Sequence, residues 1–371
     1  MKNYLLSILS KNLTPLIPLS FVRRRVRGEV ISCTILILLT FTSCIKDKPN
    51  VQTQGSVSIS ATHKLYITNE GNFMYNNASV TFYNPDTKEV ITDIFKTQNP
   101  NYLLGDVCQS ITKIQNNYYL VVNNSGKVVV VNADDFKVQS TITGFTSPRY
   151  ILPVSFAKAY VSDLYANKIS IINLSTQQIT GYIPLSGWTE EMILFYNKAF
   201  VLNPYRFYCY VIDVIQDKVT DSIYVGKYSS GLLLDKNDKL WILCSGDNSV
   251  NDLPKLHRID PVTLQIEKTL TFSNSDHPHH LVIDANRENL YFINQHIYKM
   301  NITDNQLPSN AFITNNSNNF YALYYNNYDQ HLYISDAMDY VQNSTIYRYN
   351  SNGQLIHTFK AGINASGFWG E

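Results

Sequence analysis

The sequence predicts an all-β fold: a seven-bladed β-propeller of four antiparallel strands per blade, with the ring closed by pairing of its N- and C-terminal strands. Three observations predict it. A short strand with an aromatic near its start recurs seven times, at Tyr66, Tyr119, Tyr160, Phe200, Trp241, Tyr291 and Tyr333, with spacings of 53, 41, 40, 41, 50 and 42 residues. An apolar strand ending in Asn or Asp recurs as often, at Asn84, Asn132, Asn173, Asp213, Asp260, Asn301 and Asn350, with spacings of 48, 41, 40, 47, 41 and 49. No stretch after residue 56 shows sustained helical periodicity. Two independent markers with one count and one period identify a repeat architecture, and four short strands every 40-odd residues is propeller spacing.

Each unit reads as four strands. In the third these are Arg149–Phe156, Ala159–Asp163, Lys168–Asn173 and Ile179–Pro184. Asn173 opens the hairpin turn between the last two, where its side chain can cap the turn's backbone N–H groups. The first unit begins at its second strand, Leu65, and Ile363–Trp369 has the character of an inner strand without followers. Pairing of the two completes that blade and removes the open edges that an unclosed array would expose.

Composition bounds the function. Lys and Arg number 30 against 29 Asp and Glu, a net charge of +1 that lacks the basic footprint of a nucleic-acid binder. Only 16% of residues are charged while 27 are Tyr, a bias toward pleated, half-buried surface. Of the five cysteines, Cys33 and Cys44 fall in the leader. Cys108, Cys209 and Cys244 are scattered through strand-like segments without a CxxC pair, as expected of small core residues.

Residues 1–43 read as a signal region whose start is over-extended. Arg23, Arg24, Arg25 and Arg27 precede the apolar stretch Val30–Phe41, and Phe41-Thr42-Ser43-Cys44 follows. As a helix the apolar stretch reaches about 18 Å, short of the roughly 30 Å hydrocarbon core. The Cys just after it resembles a lipobox, which implies lipidation at Cys44. Residues 44–55 then form the lipidated cysteine and a polar tether, and 56–371 the propeller. The expected location is the outer membrane, as a lipoprotein on its surface or periplasmic face.

Leu65-Tyr66-Ile67-Thr68-Asn69-Glu70-Gly71-Asn72 with Ala78-Ser79-Val80, then Leu104-Gly105-Asp106-Val107, Val122-Asn123-Asn124-Ser125-Gly126-Lys127-Val128 and Pro148-Arg149-Tyr150, resemble the YncE-like, YVTN-type propellers of secreted proteins in Bacteroides and its relatives. The resemblance covers roughly 63–371 and implies the fold. Later units depart from it, with Gly226-Lys227-Tyr228-Ser229 and Asp276-His277-Pro278-His279 before their inner strands. BtuG-like members of that group bind cobalamin beside an outer-membrane transporter.

In a propeller the loops between second and third strands share a face with those leading into inner strands. From aromatic to Asn or Asp marker the distance is 13 residues in units two, three and four, but 18, 19 and 17 in units one, five and seven. The extra residues fall in Glu70–Asn77, Ser245–Lys255 and Asp336–Ser344. Loops on a rigid scaffold concentrate binding residues. The same face is expected to carry Tyr75, Arg149, Trp188, Tyr205, Arg206, Tyr228, His279, Phe320 and Tyr321, a mix suited to a polar ring-containing ligand or a protein loop. Asp276-His277-Pro278-His279-His280 lacks further ligands at metal spacing, so no metal and no cofactor are expected. Glu190 and Glu191, adjacent on a strand, should point to opposite faces, which argues against paired acid/base work. No nucleophile elbow, P-loop or dinucleotide motif is present. The expectation is a monomeric, non-enzymatic binding protein that captures a nutrient, cobalamin-like, or docks on a TonB-dependent transporter. A propeller lyase or dehydrogenase and a structural interaction module are the alternatives, the enzyme requiring His, Arg, Tyr and carboxylate groups convergent on the axis.

Overall fold

A computed structural model of the chain describes residue 59, residues 61–316 and residues 319–371. The signal region, Cys44 and the tether lie outside the described residues. Ser56–Glu371 forms one compact unit. Among the described residues no helix is long and apolar enough to cross a membrane.

The unit is a seven-bladed propeller. Its inner strands are Ala365–Gly370, Cys108–Ile114, Pro148–Pro153, Met192–Phe195, Ser229–Leu234, His279–Ile283 and Phe320–Asn326, and each packs beside the next around the ring. Every blade runs antiparallel from inside to outside. In the third blade the strands are Pro148–Pro153, Lys158–Asp163, Lys168–Asn173 and Gln178–Pro184. Its first strand ends three residues before the sequence-based limit, because Val154 and Ser155 turn back to bond Lys158 O. Asn173 Oδ1 accepts from the backbone N–H groups of Ser175 and Thr176 at 2.9 Å, the cap expected of it. Blade six has three regular strands, His279–Ile283, Asn289–Asn294 and His296–Asn301, and reaches its fourth position with the segment at Ile313, which bridges Ile297.

The ring closes as the sequence predicts. Leu65 pairs with Gly370, Tyr66 with Trp369 and Ile67 with Phe368. Backbone bonds between Lys64 and Glu371 extend the ladder to the last residue, and the Glu371 carboxylate is held by Lys113 and, at 3.6 Å, by Lys64.

The seven marker aromatics have one structural role. Each sits on the second strand of its blade and fills the core shared with the following blade: Tyr66 between one and two, Tyr119 between two and three, and so on to Tyr333 between seven and one. None is more than 2% exposed. Second strands are buried on both faces because alternate residues face the two neighbouring blades. Thus Tyr118 and Leu120 turn toward blade one while Tyr119 and Val121 turn toward blade three. Cys108, Cys209 and Cys244 are free, fully buried core residues.

An Asn or Asp at the end of a second strand latches the segment that leads into the same blade's inner strand. Asp163 Oδ2 accepts from the N–H groups of Thr146 and Ser147 at 3.0 and 2.9 Å. Asn203 donates to Ser186 O at 3.0 Å, Asp336 accepts from Asn319 N at 3.0 Å, and Asn69 accepts from Gly362 N at 3.0 Å. These bonds fix where each inner strand starts and bring second-to-third-strand loops and inner-strand leads onto one face.

Candidate functional site at the axial mouth

Just inside that face the inner strands share an irregularity. Their register with the second strand slips by one residue at Cys108/Ser110, Pro148/Ile151, Ser229/Leu232, His279/Val282 and Phe320/Ala322, and at Ala365/Gly367 opposite Thr68/Asn69. In blade four Glu190 N donates to Leu202 O while Leu202 N donates to Glu191 O, so both glutamates face one partner residue. Each slip is a β-bulge, which bends the strand and re-aims a side chain. The bulges therefore repeat around the ring at the mouth of the axis.

The side chains at these bulges meet. Arg149 Nε donates to both oxygens of Glu190 at 3.0 and 2.9 Å, and its Nη1 donates to Gln109 of blade two. Trp188 Nε1 donates to the same Glu190. Ser110 Oγ fixes the Arg149 backbone by donating to its carbonyl at 2.7 Å. From the other side Tyr321 Oη of blade seven donates to both oxygens of Glu70 at 3.1 Å. Burial disfavours the charged Arg149, but Glu190, then Tyr150 and Glu70, more than offset it and hold its pKa above the usual value. Burial pushes Glu70 up, against the pull of Arg149 and of the Tyr321 hydroxyl. Burial, then the charge of Glu190, pushes Glu191 up to about 7, with Arg149 opposing. Glu191 keeps partial exposure, yet its Oε2 has no solvent contact and no hydrogen-bond partner. The buried Tyr150 hydroxyl is raised well above its ordinary value, first by burial and then by Glu191.

Of the residues singled out in the sequence, Arg149, Trp188 and Tyr321 join this cluster. His279 lies on the bulge of blade six, its Nδ1 3.1 Å from the His277 carbonyl and its ring 5.3 Å from that of His280. Burial lowers both imidazoles, His280 to about 3, so His280 stays neutral near pH 7. The others are elsewhere. Tyr75 is 76% exposed on the rim. Tyr205 and Arg206 line a separate cleft of about 450 Å³ with Ser186, Phe207, Tyr208 and Tyr210. Tyr228 sits beside Lys227, whose ammonium lies 5.7 Å from the Tyr205 ring centre. Phe320 is not on the face at all; it packs in the core between blades six and seven.

One expectation is corrected. Glu190 and Glu191 do not follow strand alternation: the bulge sets both against Leu202, and both carboxyl groups act on Tyr150. Of the enlarged loops, those of blades one and seven meet, Asn72 Nδ2 donating to Tyr340 O at 2.9 Å. The blade-five loop is tied to Lys227 through Asp247 at 2.8 Å and to Asn274 O at 2.9 Å. Glu70, Gln109, Tyr150 and Glu191 were not among the residues expected at the site. The available signal was positional, since each stands within two residues of the start of an inner strand or the end of a second strand.

Solved structures similar to this fold serve varied proteins. A quinonprotein alcohol dehydrogenase-like protein from Bacteroides thetaiotaomicron superimposes with TM-score 0.66 at 16% identity, covering 83% of this chain and 78% of that one. AztD from Citrobacter koseri gives 0.55 at 10% identity, covering 83% and 98%. The hydrazine synthase of Kuenenia stuttgartiensis gives 0.55 at 14% identity, covering 70% and 88%. At such identities the likeness concerns the fold alone. No curated protein matches the chain in sequence. A family profile described as a domain of unknown function, DUF5074, matches residues 64–369, so the chain belongs to that family of β-propellers.

Proposed function

We propose that the protein is an envelope-anchored binding protein that captures a small polar ligand at the axial mouth. The observation that carries this reading is the convergence of Arg149, Glu190, Glu191, Glu70, Gln109 and Tyr321 from five different blades on one place, with a carboxylate oxygen left unsatisfied there. Buried polar groups without partners are rare in folded proteins and mark places where something else supplies the bond. The leader, with Cys44 as its lipidation point, would hold the propeller at the outer membrane, where capture for a TonB-dependent transporter is useful. Cobalamin comes from the YncE-like resemblance and is one ligand to test among others.

A second reading draws on one observation. Glu191, raised to about 7, is poised as a general base near neutral pH, beside Arg149 and Tyr150. These supply the Arg, Tyr and carboxylate of the axial set a propeller lyase needs; its imidazole would have to come from His279 or His280 on blade six. The test is a thermal-shift and calorimetric screen of the purified protein against cobalamin, glycans, amines and organic acids, repeated on Gln109→Leu. Binding lost in that variant supports capture at the mouth. Binding retained in it moves the site to the rim or the Tyr205 cleft, and turnover abolished by Glu191→Gln favours the enzyme.

A further inference from the structure

The charge at the mouth is lopsided. Three carboxyl groups, Glu70, Glu190 and Glu191, share one guanidinium, and Arg149 is already engaged by Glu190 and Gln109. An anion arriving there would meet two further carboxyl groups and no free donor of positive charge. Glu191, partly exposed, leaves its Oε2 without a hydrogen-bond partner, and once ionised the carboxylate offers acceptors only. His280 Nδ1, on the bulge of blade six, is another sealed atom without a partner, and its neutral ring offers no competing charge. Aromatic rings stand with the carboxyl groups: Tyr321 is bonded to Glu70 and Trp188 to Glu190, while Tyr150 lies within electrostatic reach of Glu191. Ionised carboxylates in a largely desolvated place are the chemistry that holds ammonium and guanidinium groups through charged hydrogen bonds.

We propose that the axial mouth takes an organic cation, an amine or guanidine, with its charged head on Glu191 Oε2. This rests on the reading of the mouth as the ligand site and specifies its ligand class. The head donates to Glu191 and replaces the missing partner, while Arg149 keeps Glu190 in place.

The groups that face Glu191 are Glu190, Arg149 and Tyr150. Of these Arg149 keeps its charge, and Tyr150, with its hydroxyl pKa raised, stays neutral. Cation binding therefore requires loss of the Glu191 proton below about pH 7.

The test is calorimetry of the purified protein with one carbon skeleton in three charge states: putrescine, 1,4-butanediol and succinate, with agmatine and tyramine as further cations. At pH 8 at least one amine should bind while diol and diacid do not. Its affinity should fall about 30-fold at pH 5.5, the linkage expected for one carboxyl group with a pKa near 7. Glu191→Gln should lose the binding at pH 8 and the pH dependence with it. In case that variant is impaired for other reasons, the wild type supplies an independent readout: near pH 6.5 the binding enthalpy should vary with the buffer's ionisation enthalpy, reporting proton release. Binding of succinate or butanediol in preference, lost in Gln109→Leu, overturns the cation class but leaves the mouth as the site. No heat from any amine at millimolar concentration overturns the proposal, and a ligand bound elsewhere overturns the mouth as well.

Discussion

Replacing Arg149 by Met removes the only cation of the axial cluster while keeping most of its stem. The guanidinium makes two charged hydrogen bonds to Glu190, and the two side chains are 18% and 11% exposed. Breaking a largely buried pair by removing one partner costs about 3–5 kcal/mol, because the other charge is left uncompensated. For a domain of this size that is on the order of 10 °C in Tm. The loss must depend on pH. Without Arg149, Glu70 and Glu191, both already raised by burial, lose the opposing charge and bind protons still more tightly folded than unfolded. A folded pKa raised above the unfolded value gives stability that is present at low pH and lost as pH rises through the folded pKa. The deficit of Arg149→Met should therefore be largest near pH 8 and shrink toward pH 5.5. Urea unfolding of both proteins at the two pH values measures it. A cost below about 1 kcal/mol, or one equal at both pH values, would refute the view that Arg149 holds three crowded carboxyl groups together.

The remaining predictions use other parts of the molecule. Glu191→Gln should stabilise the protein relative to wild type as pH rises from about 5 through 7, because the wild-type carboxyl group, raised from an ordinary 4.5 to about 7, loses its proton there at a cost; parallel pH profiles of Tm would argue against the shift. Truncation after Lys360 removes the inner strand Ala365–Gly370 and the Glu371 ion pairs, and should abolish the single cooperative unfolding transition, a result that calorimetry detects. Tyr160→Ala should cost about 3–5 kcal/mol, since Tyr160 fills the core between blades three and four, and a cost under about 1 kcal/mol would contradict that packing role. Cys44→Ala should move the product from the membrane to the soluble fraction; a protein that stays with the membrane would mean that Val30–Phe41 remains as an uncleaved anchor.

What could be read from the sequence follows from what repeats. Tyr66, Tyr119 and their five counterparts are periodic because each fills an equivalent core between two blades, so packing writes itself into spacing. Asn173 and Asp213 were legible for the same reason, each capping a tight turn with its own side chain. The mouth is different. It is built from residues whose types differ in every blade, Gln109, Arg149, Glu190, Tyr321, so their positions recur with the blades but no residue-type pattern announces them. Parity misled as well: a bulge adds one residue, so Glu190 and Glu191 both oppose Leu202, a pairing that strict alternation forbids. Phe320 failed in the reverse sense, since the residue just before the slip points into the core while Tyr321 at the slip reaches Glu70. Loop length pointed to one member of the mouth, Glu70 at the start of the long blade-one loop; the loops of blades one and seven also carry exposed Phe73, Tyr75 and Tyr340, while Glu191 with its unpartnered oxygen stands on blade four.

The most direct measurement is a crystal structure of the protein with the tightest binder from the screen. The expected result places a polar or charged group of the ligand within hydrogen-bond distance of Glu191 Oε2, with Arg149 still bonded to Glu190. A ligand seated on the Phe73–Tyr75 and Tyr340 ridge, or in the Tyr205–Tyr210 cleft, with the mouth unchanged, would contradict it.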